Sequence, residues 1–220
     1  MSILPDIRSR TTRLPKSAWR QNIESISLAI LLALVVRSSV VQAFWVPSGS
    51  MLPTIQIGDH LFVNKLAYDL RLPLVGTKLM STGSLHRNDI VVFVSPNDPE
   101  TDLIKRVIAV GGDTVEMREK HLFVNGQPVD DAHAHFVDPR AQNTPRDTFA
   151  PITVPPGKFF VLGDNRDQSY DSRYWGFADV ESVKGRATFI YFSWDSKTCW
   201  PSWGRLACWP SWNRVGHMLD

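Results

Sequence analysis

A chain of 220 residues, 43% hydrophobic and 21% charged, is long enough to bury one sizeable core and too apolar to be disordered. Its 24 Lys and Arg against 22 Asp and Glu leave a formal net charge of +2, short of the excess a dedicated nucleic-acid binder carries, and no Lys/Arg stripe interleaved with aromatics makes up for it. The two cysteines, Cys199 and Cys208, form no C-x-x-C pair and have no second ligand cluster, which argues against a zinc site; whether they close a small disulfide stays open.

The chain begins with a basic stretch, Arg8, Arg10, Arg13, Lys16 and Arg20 against Asp6, followed by residues 25–36 with no charge. Extended back to Trp19, with Glu24 and Arg37 toward its ends, this run has the length of a bilayer span. The expectation is a cytoplasmic basic segment over 1–17, a transmembrane helix over 18–37 and an extracytoplasmic domain over 38–220, oriented by the cationic cluster. A cleaved signal peptide ending at Val41-Gln42-Ala43 is the rival. Cleavage there would leave the motif at 47–55 almost at a free N-terminus, where chain ends are poorly ordered. A buried core helix fits the basic flank least.

Beyond residue 40 the pattern changes to short apolar runs between turn residues, which predicts a mainly β domain. Candidate strands are 60–64, 89–94, 103–110, 158–162 and 185–192, rich in Val, Ile and Phe. Asn125-Gly126 inside 121–129 is a hairpin signal suited to a type I′ turn, and Pro155-Pro156-Gly157 marks another turn. Residues 130–148 are polar, include Pro139 and Pro145, and read as a surface insertion. The tail repeats itself, Cys199-Trp200-Pro201-Ser202-Trp203 and Cys208-Trp209-Pro210-Ser211-Trp212. Its tryptophans suit a membrane interface or the cover of a core edge.

Three segments carry chemistry. Pro47-Ser48-Gly49-Ser50-Met51-Leu52-Pro53-Thr54-Ile55 holds two serines in a turn stiffened by proline. Taken alone it is a Ser/Gly/Pro-rich turn, but a nucleophilic serine needs a fixed backbone, a base and an oxyanion donor, and the Ser48 hydroxyl and the Ser50 N–H are candidate donors. In the predicted strand 103–110, alternation puts Lys105 on one face with Leu103, Val107 and Ala109, and Arg106 on the other with Ile104 and Ile108. Apolar surroundings disfavour an ammonium, so burial would lower the lysine pKa and make it a base. Taken by itself, the strand favours a lysine that snorkels to solvent. The third segment, 163–177, is dense in Asp, Arg, Asn and Ser and ends in Tyr174-Trp175-Gly176-Phe177. This ending reads as docked rather than solvated, with Asp and Arg paired to brace a site.

Together and in this order, 47–55, 104–113 and 163–177 resemble bacterial signal peptidase I, the leader peptidase family of Ser-Lys proteases. The resemblance implies a signal-peptidase-type antiparallel β-sheet catalytic domain behind one membrane helix, with Ser50 as nucleophile, Lys105 as general base and Ser48 with the Ser50 N–H as the oxyanion hole. It implies that Ser169 orients the lysine amine, that Asp164, Asp171 and Arg173 support the site, and that Met51 meets substrate. No metal or organic cofactor is required. The implied substrates are signal peptides of exported preproteins, cut after small-x-small sequences through an acyl-enzyme and bound extended against a strand edge. The implied setting is the bacterial plasma membrane, with the N-terminus cytoplasmic, the catalytic domain outside, a lipid bilayer as neighbour and a monomeric enzyme. One departure is His86-Arg87-Asn88-Asp89-Ile90, where the family has Arg-Gly-Asp-Ile; Asn tolerates the left-handed geometry such a turn needs.

Other readings are weaker. A Ser-His-Asp triad through His133 or His135 conflicts with the lysine-dependent context of Ser50, and His133-Ala134-His135 lacks neighbouring ligands for a metal. A self-cleaving repressor would need a helix-turn-helix domain in front. A catalytically dead binding domain would have no need of Ser50, Lys105 and Ser169 together.

Overall fold

A computed structural model of the protein describes residues 18–71, 77–194, 200–202, 205–207 and 209–219. The chain opens with helix α1 (Ala18–Ser39) and continues through strands β1 (Val41–Trp45), β2 (Asp59–Asn64), β3 (Asp69–Arg71), β4 (Lys78–Ser81), β5 (Ile90–Val94) and β6 (Asp102–Val110). Next come β7 (Thr114–Arg118), β8 (His121–Val124), β9 (Gln127–Pro128), β10 (Phe149–Thr153) and β11 (Lys158–Leu162). A short helix α2 (Ser172–Trp175) precedes β12 (Ala178–Asp179), β13 (Val183–Ser193), β14 (Trp200–Ser202) and β15 (Arg205–Ala207).

Seven strands form one antiparallel sheet in the order β1-β2-β13-β5-β6-β11-β12, and a second sheet runs β10-β7-β8-β9. The domain is therefore mainly β, and each strand predicted from the apolar runs has its counterpart. The sheet is buried on both sides around β5, whose Ile90, Val91, Val92 and Phe93 are each 2% exposed or less. Ile90 and Val92 pack with Met51, Ile55, Leu61 and Val63, whereas Val91 and Phe93 pack with Val107, Phe159 and Val161 on the other side. Such two-sided burial explains an unbroken apolar run in place of alternation. β13 crosses beside β2 at Gly185, where an added β-carbon would lie 2.5 Å from the Asn64 carbonyl oxygen. Only glycine allows that approach.

The turn chemistry follows the sequence. Asn125 and Gly126 have φ of 54° and 73°, joining β8 to β9 as the Asn-Gly pair predicts. Asn88 has φ 71°, so the left-handed turn that the departure at this position put in question is present, with asparagine in it.

One expectation changes. The segment expected to span a membrane is helical over Ala18–Ser39, but among the described residues no helix is long and apolar enough to cross a membrane. Polar residues explain this: Arg20, Gln21, Asn22, Glu24, Ser25 and Ser27 fill its first half and confine the apolar run to 28–36. The insertion 130–148 lies at the surface, as its polar sequence predicts, and is tied down there. The Asp138 N–H donates to Asp167 at 2.7 Å, Lys120 donates to the Asp138 carbonyl at 2.7 Å, and Asp147 is fully buried against Arg146. Of the tail, Trp209 and Trp212 are 71% and 70% exposed, while Cys199 and Cys208 lie outside the described residues.

Candidate active site

Lys105 sits on β6 opposite Val91, between Leu103 and Val107 on the sheet face that also carries Phe93 and Phe159. Alternation along the strand is what puts it there, and the consequence is burial: the residue is 3% exposed. Loss of water around the amine lowers its pKa to about 8; Asp171 opposes that shift, Arg173 adds to it and Asp164 opposes it. Neither carboxylate has much field to spare. Asp171 is gripped by Arg173 at 2.8 Å through two nitrogens, and Asp164 by Arg106 at 2.9 Å through two. Among the described residues the Lys105 amine has no hydrogen-bond or ion-pair partner.

The turn after β1 is fixed by its own backbone and by the core. The Leu52 N–H donates to the Gly49 carbonyl and the Ile55 N–H to the Met51 carbonyl. Met51 and Ile55 are 1% and 0% exposed in the cluster beneath the sheet. The Met51 side chain is therefore an anchor of the turn and has no open face. Ser48 and Ser50 remain toward solvent with their hydroxyl oxygens 3.5 Å apart, and the Ser50 N–H donates to nothing among the described residues.

The loop after β11 binds these pieces into one site. The Asn165 N–H donates to the Ser50 carbonyl at 3.0 Å and the Asn165 side-chain amide to the Gly49 carbonyl at 3.0 Å. Asp164 accepts the Thr54 hydroxyl at 2.6 Å while holding Arg106, the residue next to Lys105. One buried carboxylate thus ties the turn of Ser50 to the strand of Lys105. Asp171 accepts the Gly163 N–H at 3.1 Å, and Arg173 donates to the Arg166 and Arg146 carbonyls at 2.5 and 2.7 Å. Gly163 is the tightest point. A β-carbon there would lie 2.3 Å from both the Ser50 carbonyl oxygen and the Ser169 hydroxyl oxygen. Ser169 is 4% exposed, and its hydroxyl has no partner among the described residues.

All the expected site residues thus lie on three converging segments. Sequence reasoning missed Thr54, Arg106 and Asn165. Arg106 is the legible one, since alternation turns it away from Lys105 into a core, where an arginine needs a carboxylate. It also missed the contribution of the insertion: the His135 N–H donates to the Asp164 carbonyl at 2.7 Å, the Arg166 N–H donates to the His135 carbonyl at 2.9 Å, and Asp131 pairs with Arg166. His133 and His135 line a cavity of about 410 Å³ behind the turn, with Pro53, Thr54, His217 and Arg214. No group of three or more metal-ligating side chains able to hold an ion occurs among the described residues.

Comparison with known proteins gives a consistent result. The family model described as signal peptidase, peptidase S26, matches residues 19–194. A signal peptidase I of Pseudomonas aeruginosa is 34% identical over 197 residues, which is 75% of this chain and 69% of that one. A probable signal peptidase I-2 of a Synechocystis species is 36% identical over 184 residues, 81% of this chain and 75% of that one. A crystal structure of a signal peptidase I from Enterococcus faecalis V583, 35% identical, covers 47% of this chain and 97% of that chain at a TM-score of 0.42.

Proposed function

The chain belongs to the signal peptidase family of S26 serine peptidases, which remove signal peptides, and we propose that it does so with Ser50 as nucleophile and Lys105 as general base while held at a membrane. The observation that carries this reading is the amine of Lys105, buried, without a partner and with its pKa lowered to about 8. A lysine of that kind is neutral in a useful fraction of molecules near neutral pH and can take a proton from a serine.

In the proposed reaction the neutral amine accepts the Ser50 proton as Oγ attacks the scissile carbonyl carbon. The oxygen of the resulting tetrahedral intermediate receives hydrogen bonds from the Ser50 N–H, which donates to nothing among the described residues, and from the Ser48 hydroxyl, whose partner there is the Ser50 hydroxyl at 3.5 Å. The Lys105 ammonium returns its proton to the departing amine, and the neutral lysine then draws one from a water that hydrolyses the acyl-enzyme. Ser169, whose hydroxyl is buried and unpartnered, supplies an acceptor that orients the amine. Asp164, Asp171 and Arg173 take no proton; they hold the strand, the loop and the turn in register. Met51 serves the site by anchoring the nucleophile turn in the core. The chemistry described needs no metal or organic cofactor.

The substrate strand has a place beside the base. β6 pairs with β5 over residues 102–106, but β11 leaves it at Leu162 opposite Arg106, so residues 102–105 pair on one side alone. An extended peptide added to that edge runs past Lys105, and small side chains at the first and third positions before the cut, both on one face of the peptide, fit against a packed wall. For membrane attachment the support is α1: Leu28, Ile30, Leu31 and Leu32 are 56–66% exposed, covered by no protein, and a basic segment precedes them. Lipid is the medium that would cover such side chains, with the N-terminus on the cytoplasmic side and the domain outside. The enzyme is taken to work as a monomer in the bacterial plasma membrane.

The test is cleavage of a preprotein bearing an Ala-x-Ala site by the purified full chain in detergent or lipid. Wild type is expected to release the signal peptide, Ser50→Ala to release none, and a bulky residue at the last position before the cut to block release. Cleavage by Ser50→Ala at the wild-type rate sinks the nucleophile assignment.

A further inference from the structure

The end of the chain returns across the domain. β13 keeps β5 as a neighbour only as far as Arg186, and beyond it the tail takes that side. The Ile190 N–H donates to the His217 carbonyl at 3.0 Å, the Gly216 N–H to the Ile190 carbonyl at 2.8 Å and the Leu219 N–H to the Thr188 carbonyl at 2.8 Å. Leu219 is 4% exposed and shares the cluster of Met51 and Ile55. Just before this hydrogen-bonded segment, Arg214 closes a 3₁₀ turn (Trp212–Arg214) and reaches the nucleophile turn. Its Nε and Nη2 lie 3.0 and 2.6 Å from the two oxygens of Asp59, and Nη2 also donates to the Thr54 carbonyl at 3.0 Å. That carbonyl has no other donor among the described residues. Asp59, fully buried, accepts the Gln56 N–H at 2.8 Å, so the guanidinium holds the end of the turn both directly and through the carboxylate.

We infer that Arg214 is a positioning residue for Ser50, and that the C-terminal tail is a clasp closing the catalytic turn from the side opposite Asp164. Thr54 is the shared point: its hydroxyl is given to Asp164 and its carbonyl to Arg214, so the backbone four residues after Ser50 is set from both directions. A strut that served the fold alone would need only the pair with Asp59. A guanidinium fork supplies the further donor to the turn, which a lysine in the same place does not reproduce. The inference rests on the Ser50 and Lys105 reading.

The experiment compares the full-length wild type, Ser50→Ala, Arg214→Lys and Arg214→Ala in preprotein cleavage, with kcat, KM, pH profile and melting temperature for each. Wild-type activity with none in Ser50→Ala first establishes the reading on which the inference depends. Arg214→Lys is expected to keep the melting temperature near wild type and to lose kcat by about 10²-fold, with KM and the pH at which activity rises unchanged, because misplacing a nucleophile costs rate while the base stays buried. Arg214 lines the cavity of about 410 Å³, so millimolar guanidinium ion, but not ammonium, is expected to restore part of the kcat of Arg214→Ala. A wild-type kcat in Arg214→Lys overturns the inference, as does a loss of kcat that follows the fraction of unfolded protein and ignores guanidinium.

Discussion

At the scale of single residues, the account depends on one amine whose burial is costly. A shift of the Lys105 pKa from 10.5 to about 8 corresponds to about 3 kcal/mol, borne by the fold whenever the amine is charged. Between these two values the unfolded chain holds the proton and the folded chain does not, so stability rises with pH across that window, and below about 8 the full cost is present. Lys105→Met, of similar volume and without charge, is therefore expected to be more stable than wild type by about 3 kcal/mol at pH 7, with the difference vanishing toward pH 10.5, as chemical denaturation at several pH values would read. Equal stability of the two at pH 7 would mean that the lysine reaches solvent. Alternation in the sequence identified the face of Lys105, and it could do so because strand geometry is local. It could not identify the burial, because the groups that surround the amine, Asp164, Asp171 and Arg173 of the loop after β11, arrive from more than fifty residues away.

At the scale of elements, the site is made by three segments meeting, and Asp164 is where they meet. Its two oxygens serve Arg106 of β6, buried with it, and the half-buried Thr54 of the turn. Removing the charge with Asp164→Asn takes from the Arg106 guanidinium, 1% exposed, the carboxylate that grips it through two nitrogens, and breaking a buried pair in this way costs about 3–5 kcal/mol. Urea or thermal unfolding should show that loss, and cleavage should fall further than the unfolded fraction accounts for; a variant as stable as wild type would remove Asp164 from its central place. Thr54 and Asn165 were illegible in the sequence because the contacts they make are long-range, 110 and 116 residues along the chain. The anchoring of the insertion was illegible for a related reason. Polar residues in 130–148 look like a solvated loop until their partners, Lys120, Arg166 and Asp167, are known to face them.

For the whole molecule, the antiparallel sheet accounts for why the ends of the chain matter to its centre. β1 leads from α1 into the nucleophile turn, and residues 216–219 hydrogen-bond along β13, so the described segments nearest either end are built into the same sheet. The strands and turns were legible from apolar runs, Asn-Gly and Pro-Gly, whereas the helix at 18–39 shows the limit of such reading: position and helical character follow from the sequence, but polar residues in its first half reduce its apolar content. Removal of residues 1–39 is expected to leave cleavage of a soluble peptide substrate within a few-fold of the full chain, and to abolish binding of the protein to liposomes in a flotation assay. Retained flotation would place the lipid contact elsewhere, for example at the exposed Trp209 and Trp212.

The most direct test of the central claim is the pH dependence of single-turnover preprotein cleavage by wild type and Lys105→Met. If neutral Lys105 is the base, the wild-type rate rises about tenfold per pH unit at low pH and levels off above about 8, and Lys105→Met is inactive at every pH. A rate that keeps rising through pH 10, or substantial cleavage by Lys105→Met, would contradict the account.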